Sequence, residues 1–555
     1  MNGLDLAIVA ASLLAVVVVG LWAGWNQDKT AKGYFLASGR LPWWIIGSAF
    51  VSTSISSEQI VGTVGKAYET GMGVANWEWF TLPVYTPLIV LILPVFLKNR
   101  VTTVPDLLAR RFGPLCADLY SWIMLPAYVF IFLVPVLYGG SLTFAELTGW
   151  NFHAVLWLTV ALVAAYTVKG GLASVMWTDA VQCVMLLGGG VVLYFVALGQ
   201  IDGGWSAMAA ANPERFHLYR PANDPVAPFL GMIFTSFRLN LFYCAGNQVM
   251  VQRILGARST WDGLMGVVFA GFVNFFRPLV TCFLGLVVYH WIHVMHQAPA
   301  LDDIDTAFPL VLQSLAPAWG LRGIVLMGFL AAVMSTVSAL ANSTATLFSL
   351  DVYKRFIHPK ADDRRTIAVG RVTSVTALVA AALVAPAVRS AGGIFVYFQT
   401  GVTYLATPFI SVILMGLLWK RSNYASALFG LIGGFAIQIA VALGLPPLLN
   451  SVYQGEPTGW LAQFVFVTTN AAGTPEIRVH WLYLAFVAQV IIMAGMLVVS
   501  LVTPPPDPAR AKPFAWSPRL LFQYEQGRVR PWYQRLSLWM AIYAAIWFYL
   551  YWRFW

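Results

Sequence analysis

The sequence predicts an all-α membrane protein of about fourteen transmembrane helices. Three observations predict it. Of 555 residues, 59% are hydrophobic and only 10% charged, with a mean hydropathy of +0.73. Soluble proteins carry roughly a quarter charged residues, so no soluble domain large enough to act alone is expected. The apolar residues form continuous runs near the roughly 20 residues that cross a bilayer, and only helices satisfy their own backbone there. Alternating barrel strands would not give such runs. The charges collect on alternate loops.

The runs lie at 5–25, 43–66, 73–97, 119–140, 151–168, 174–198, 227–246, 262–289, 322–350, 367–388, 394–419, 423–447, 480–502 and 534–552. The first is not expected to be a secretory signal. It has no basic residue before it, and the following "GLWAGWNQDK" is a poor cleavage site. Basic residues follow it at Lys29, Lys32 and Arg40, and return on the same side at Lys98, Arg100, Arg110 and Arg111. They recur at Arg253 and Arg258, at Lys354, Arg355, Lys360, Arg364 and Arg365, at Lys420 and Arg421, and from Arg510 to Arg535. The other side holds acids, as in "LDDID" at 301–305. The positive-inside rule then places both termini outside, in an integral, multi-pass plasma (cell inner) membrane protein.

This bias also accounts for the net charge of +10. No nucleic-acid motif accompanies it, so no nucleic acid is expected as a partner. Tryptophans near span ends, as in "LPWWI" and "WLYLAF", suit an interfacial belt, although each also reads as a helix contact. Cys116, Cys183, Cys244 and Cys282 have no metal spacing and read as small core residues. "TPPPDPARAKP" at 503–513 is a linker whose prolines cannot continue a helix.

Polar residues interrupt the spans. A charge at mid-bilayer costs on the order of 2.5–3.5 kcal/mol on insertion scales, so Glu58, Lys66, Glu78, Asp179, Arg238 and Arg277 must be compensated or useful. Any one serine or threonine also reads as packing or back-bonding. Two breaks match, however. "SISSEQ" interrupts the second span and "RLNLFYCAGNQ" the seventh, at the starts of two five-helix blocks, 43–198 and 227–419. Matching breaks in two halves point to a transporter with inverted repeats and a midplane site, where unwound carbonyls face a cation. The remaining divisions are 1–42 with the first span, 420–502 with two added spans, the linker at 503–533, and a final span at 534–555.

"YFLASGRLPWWIIGSAFVSTSISSEQIVGTVG", "GGLASVMWTDAVQ", "NQVMVQR", "NSTATLFSLDVYKR" and "YFQTGVTYLATPFISVILMGLLWKR" resemble the sodium:solute symporter family, nearest its sodium–glucose and sodium–galactose branch. The similarity runs from about residue 34 to 421. It implies a LeuT-like 5+5 inverted-repeat core with extra helices at both ends. It also implies sodium as the co-transported ion and a sugar as the small-molecule partner, within a lipid bilayer and with no obligatory protein partner. The family's main sodium site matches the carbonyls of Ser52, Ile55 and Ala332 with the hydroxyls of Ser335 and Thr336. Its sugar ligands match Gln59, Glu78, Asn240 and Gln399, with Thr81 a further candidate, and Tyr243 matches an aromatic cap. Amides and a carboxylate suit sugar hydroxyls, while an aromatic face suits the apolar side of the ring.

Three positions depart from that branch. Asn274 stands where a sugar-binding lysine is usual, with Arg277 one turn on. Cys244 replaces an aromatic. Asp179 and Ser338 match a second sodium site or exit path, but Ala339 lacks its other hydroxyl. The expected function is sodium-coupled import of a glucose- or galactose-like monosaccharide by alternating access. The same fold carrying an inositol, an amino acid or a carboxylate is the alternative. A membrane solute sensor is another, but it needs an output domain, and none is expected after Trp555. No nucleophile–base pair or metal cluster suggests an enzyme.

Overall fold

The computed structural model describes residues 3–25, 29–317, 320–390, 394–469, 473–520 and 530–555. Among them, ten helices are long and apolar enough to cross a membrane, and a pair bent by 46°, Thr260–Asn274 with Arg277–His293, makes an eleventh. The Leu321–Ile357 helix is the axis of the structure, with 94% of its apolar window buried, against 22% for the peripheral Gly3–Trp25 helix.

The fourteen expected runs are not fourteen separate helices of spanning length. Runs 151–168 and 174–198 are two helices that meet, within Phe152–Leu198, at a non-helical kink at Gly171 with φ 53° and ψ −149°. A Cβ at Gly171 would sit 2.4 Å from the Tyr34 carbonyl oxygen, so this kink needs glycine. Run 43–66 is two half-helices, Trp43–Ser54 and Ser57–Thr70, each too short to cross alone. Run 227–246 contains two wide π-type turns, Met232–Ser236 and Phe242–Gly246. Such turns recur at functional sites.

Sequence periodicity missed an antiparallel hairpin, Val465–Thr469 paired with Pro475–Val479. The proline-rich linker also contains a short helix, Pro508–Phe514, with its first proline in the opening turn, where a missing N–H costs nothing. It is docked on the helical body. Asn99 Nδ2 donates to the Pro513 carbonyl at 2.9 Å, and Trp516 Nε1 donates to the Val90 carbonyl at 2.9 Å.

The quoted motifs meet in space. Gln252 Nε2 donates to the Phe35 carbonyl at 2.6 Å and to Thr346 Oγ1 at 2.7 Å, while Ser343 donates to Gln252 Oε1 at 3.0 Å. Asn247 Oδ1 accepts from Tyr128 at 2.8 Å and caps Val249 N at 3.0 Å. These bonds tie "NQVMVQR" to "NSTATLFSLDVYKR" and set the register of the helices around the break.

Candidate functional site: a broken helix beside a polar cavity

The first half-helix ends because Ile55 (φ −113°, ψ 106°) and Ser56 (φ −116°, ψ 176°) are extended. A helix end leaves carbonyls without intrahelical partners. Here the last turn is served from four directions. Val51 O accepts from Ser54 Oγ at 2.8 Å and Ser52 O from Ile55 N at 3.4 Å. Thr53 O accepts from Thr336 Oγ1 at 3.3 Å, and Ser54 O from Arg277 Nη2 at 3.3 Å. The partial negative charge of a helix C-terminus is thus turned toward the centre of the protein.

Ser335 and Thr336 come from the buried middle of the axial helix. The Ser335 hydroxyl donates to Asp179 Oδ1 at 2.7 Å, and Thr53 Oγ1 reaches Asp179 Oδ2 at 3.3 Å. The Thr336 hydroxyl also lies 3.1 Å from the Ala332 carbonyl, and Ser338 donates to the Ser335 carbonyl at 2.9 Å. Each hydroxyl proton is directed at an acceptor, so oxygen lone pairs remain for a cation. Asp179 is ion-paired with Arg253 at 2.8 Å, both side chains being at most 1% exposed. The structure therefore brings Ser52, Ile55, Ala332, Ser335, Thr336 and Asp179 to one neighbourhood. Ser338 turns its hydroxyl to the backbone instead.

A cavity of about 90 Å³ opens on the same break. At ~10–15 Å³ per water centre it has room for about six to nine waters, the scale of a small polyhydroxylated solute. Of the residues matched to sugar ligands, Gln59, Thr81, Asn240 and Tyr243 line it. Glu78 and Asn274 do not. Both are fully buried. Glu78 accepts from Thr281 Oγ1 at 2.8 Å and from Gln59 Nε2 at 3.5 Å, while Asn274 Nδ2 donates to Tyr85 at 2.9 Å. They support the wall rather than form it. The Gln399 side chain lies outside the described residues.

Ser54, Ser56, Trp77 and Tyr85, none of them expected from the sequence as a ligand, also line the cavity, together with Arg277, the cation that a carboxylate cargo would require. An adjoining cavity of about 40 Å³ shares Gln59 and Trp77 and extends to Lys66 and Trp481. Trp77 and Trp481 stack there at 5.9 Å. The final helix, Leu536–Arg553, also supports the site. Its Tyr543 hydroxyl donates to Thr81 Oγ1, and its Trp547 Nε1 donates to the Trp79 carbonyl at 2.6 Å.

Among known proteins, the chain is similar to a sodium/glucose cotransporter of Vibrio parahaemolyticus. The two are 31% identical over 474 residues, covering 80% of this chain and 86% of that protein. It is also similar to the sodium/myo-inositol cotransporter 2 of Oryctolagus cuniculus, 29% identical over 563 residues, covering 93% and 79% respectively. A solved structure of a Na+-coupled sialic acid symporter, in a substrate-bound outward-open state, superposes with a TM-score of 0.75 at 20% identity, covering 91% of this chain and 99% of that one. The LeuT-like core expected from the sequence is the fold they share. The model of the sodium:solute symporter family matches residues 34–434. With a broken helix, a polar cavity and that match in agreement, this integral membrane protein belongs to the sodium:solute symporter family.

Proposed function

We propose that the protein imports a monosaccharide, glucose- or galactose-like, together with sodium by alternating access. The observation that carries this reading is the sharing of one helix break. On one side its Thr53 carbonyl accepts from Thr336 and its Thr53 hydroxyl lies 3.4 Å from Ser335 Oγ, and on the other its Ser54 and Ser56 line the solute cavity. Sodium bound by Ser52, Ile55, Ala332, Ser335 and Thr336 would hold the break in the form that completes the cavity. Oxygen ligands suit such a hard cation. Asp179 would orient Ser335, its own charge being balanced by Arg253. Gln59, Asn240, Thr81 and Gln399 would bond hydroxyls, and Tyr243 would cover the ring.

Basic loops on one side support an orientation with both termini outside the cell membrane. The five-helix blocks 43–198 and 227–419 would rock against each other around the break. One sodium entering down 100 mV and a tenfold gradient releases roughly 2.3 + 1.4 kcal/mol, enough for about a 500-fold solute gradient, and two ions would square it.

Linkage requires that sodium tighten solute binding and that solute tighten sodium binding by the same factor. The test is uptake of radiolabelled glucose and galactose into proteoliposomes, under an inward sodium gradient and in choline. Sodium-dependent accumulation is expected, and equal uptake in both media refutes the proposal. The myo-inositol transport named for one relative supports a cyclic polyol as the second reading, and labelled myo-inositol belongs in the same assay.

A further inference from the structure

Arg277 is 6% exposed and is the one charged side chain among the described residues lining the 90 Å³ cavity. Its bonds are long. Nη1 lies 3.4 Å from Ser54 Oγ and 3.4 Å from Asn274 Oδ1, and Nη2 lies 3.3 Å from the Ser54 carbonyl. Its Nε has no partner. No carboxylate among the described residues lies within ion-pairing distance of it. Glu78, which would repel an anion if it faced the cavity, is fully buried and committed to Thr281 and Gln59. A second cation, Arg238, sits two residues from Asn240. It too is buried, with Nε and Nη2 unpartnered. A third, Lys66, lines the adjoining cavity that leads away from Gln59 and Trp77, but it is paired with Glu69 at 2.7 Å.

A guanidinium buried at a cavity wall, with Nε unused, long bonds at both Nη atoms and no counter-ion among the described residues, suits a planar bidentate acceptor. Neutral hydroxyls would leave that charge uncompensated in a low-dielectric site. Cys244 lines the same cavity and leaves more room than an aromatic ring. We propose that Arg277 is a carboxylate-binding residue and that the cargo is an acidic monosaccharide, a uronate, whose hydroxyls meet Gln59, Thr81 and Asn240 while its carboxylate meets Arg277. This rests on the sodium-coupled sugar reading above and refines it.

The test uses the full-length protein in proteoliposomes under an inward sodium gradient. The probes are labelled D-glucuronate and D-galacturonate, with D-glucose, D-galactose and myo-inositol beside them. Sodium-dependent, saturable uronate uptake is expected. Arg277→Gln should raise the uronate KM at least tenfold, and Arg277→Lys, which keeps the charge without the fork, should fall between. Sodium-dependent thermal stabilisation of both variants verifies that they fold. If neutral sugar enters with sodium while wild-type protein neither transports uronate nor is inhibited by it, this proposal fails and the sugar reading stands. A uronate KM unchanged in Arg277→Gln also overturns it. If no sugar of either kind enters, the sugar reading fails, and this refinement with it.

Discussion

Ser335 Oγ stands 2.7 Å from Asp179 Oδ1, and the far oxygen of that carboxylate stands 2.8 Å from Arg253 Nη2. A proposed sodium ligand is thus the end of a buried chain of three groups. The serine proton is held by the carboxylate and the carboxylate charge is balanced by the guanidinium. Ser335→Ala removes the ligand and leaves the ion pair. The sodium concentration for half-maximal uptake should rise about tenfold or more, corresponding to about 1.4 kcal/mol. An unchanged sodium dependence would remove Ser335 from the site.

Asp179→Asn has a different signature. It leaves Arg253 buried without its counter-ion, and breaking a buried pair in this way costs about 3–5 kcal/mol. The melting temperature in detergent should fall sharply. Replacing both partners with apolar groups, Asp179→Leu with Arg253→Met, should recover much of that loss. Sodium affinity should not recover, because Ser335 would lack its acceptor. Melting curves with and without sodium separate the two effects.

The last helix makes its own prediction. Tyr543, Trp547 and Tyr551 are spaced by four residues and so share one face. Tyr543 donates to Thr81, Trp547 to the Trp79 carbonyl at 2.6 Å, and Tyr551 to Asn76 Oδ1 at 2.8 Å. Thr81 lines the cavity, so this face positions one wall of it. Tyr543→Phe keeps the ring and loses the hydroxyl bond, worth about 1 kcal/mol. The solute KM should rise about fivefold with the maximal rate nearly unchanged. A loss of rate at constant KM would assign the helix to the conformational step instead.

The half-helices around Ile55 and Ser56 were legible because three serines, a glutamate and a glutamine stand in an apolar run where lipid would penalise them. The resemblance matched Ser52 and Ile55 with Ser335 and Thr336, but the bond from Thr336 to the Thr53 carbonyl, across 283 residues, had no signal of its own. The Tyr543–Thr81 bond, across 462 residues, had no signal, because a tyrosine in a terminal apolar run looks like any interfacial aromatic. The bond that Glu78 accepts from Thr281, across 203 residues, likewise had no local signal. The Gly170–Gly171 pair falls between runs 151–168 and 174–198, and two helices meet there at a single non-helical glycine with positive φ.

That glycine can be tested directly. At Gly171 an added Cβ meets the Tyr34 carbonyl oxygen at 2.4 Å, and φ is +53°. Crowding of this kind costs typically 1–3 kcal/mol, and left-handed backbone adds roughly 1–2 for an L-residue. Gly171→Ala should therefore destabilise the protein by several kcal/mol, seen as a lower melting temperature and less monodisperse protein after extraction. At Gly3, where an added Cβ meets nothing within 4 Å, the same substitution should be nearly silent. Equal effects at the two positions would contradict the packing described.

His480 gives the pH prediction. It precedes the Trp481–Val502 helix, is 6% exposed, and its Nδ1 accepts from Leu482 N at 3.2 Å. Burial pushes its pKa from 6.5 down to about 4. The folded state therefore keeps a neutral imidazole where the unfolded chain takes up a proton. This contribution to stability is complete above pH 6.5 and is lost progressively as the pH falls toward 4. Asparagine at this position retains a capping acceptor without titrating. On acidification from pH 7.5 to 5, the melting temperature of wild type should fall further than that of His480→Asn. Parallel losses would show that the imidazole does not carry the acid sensitivity.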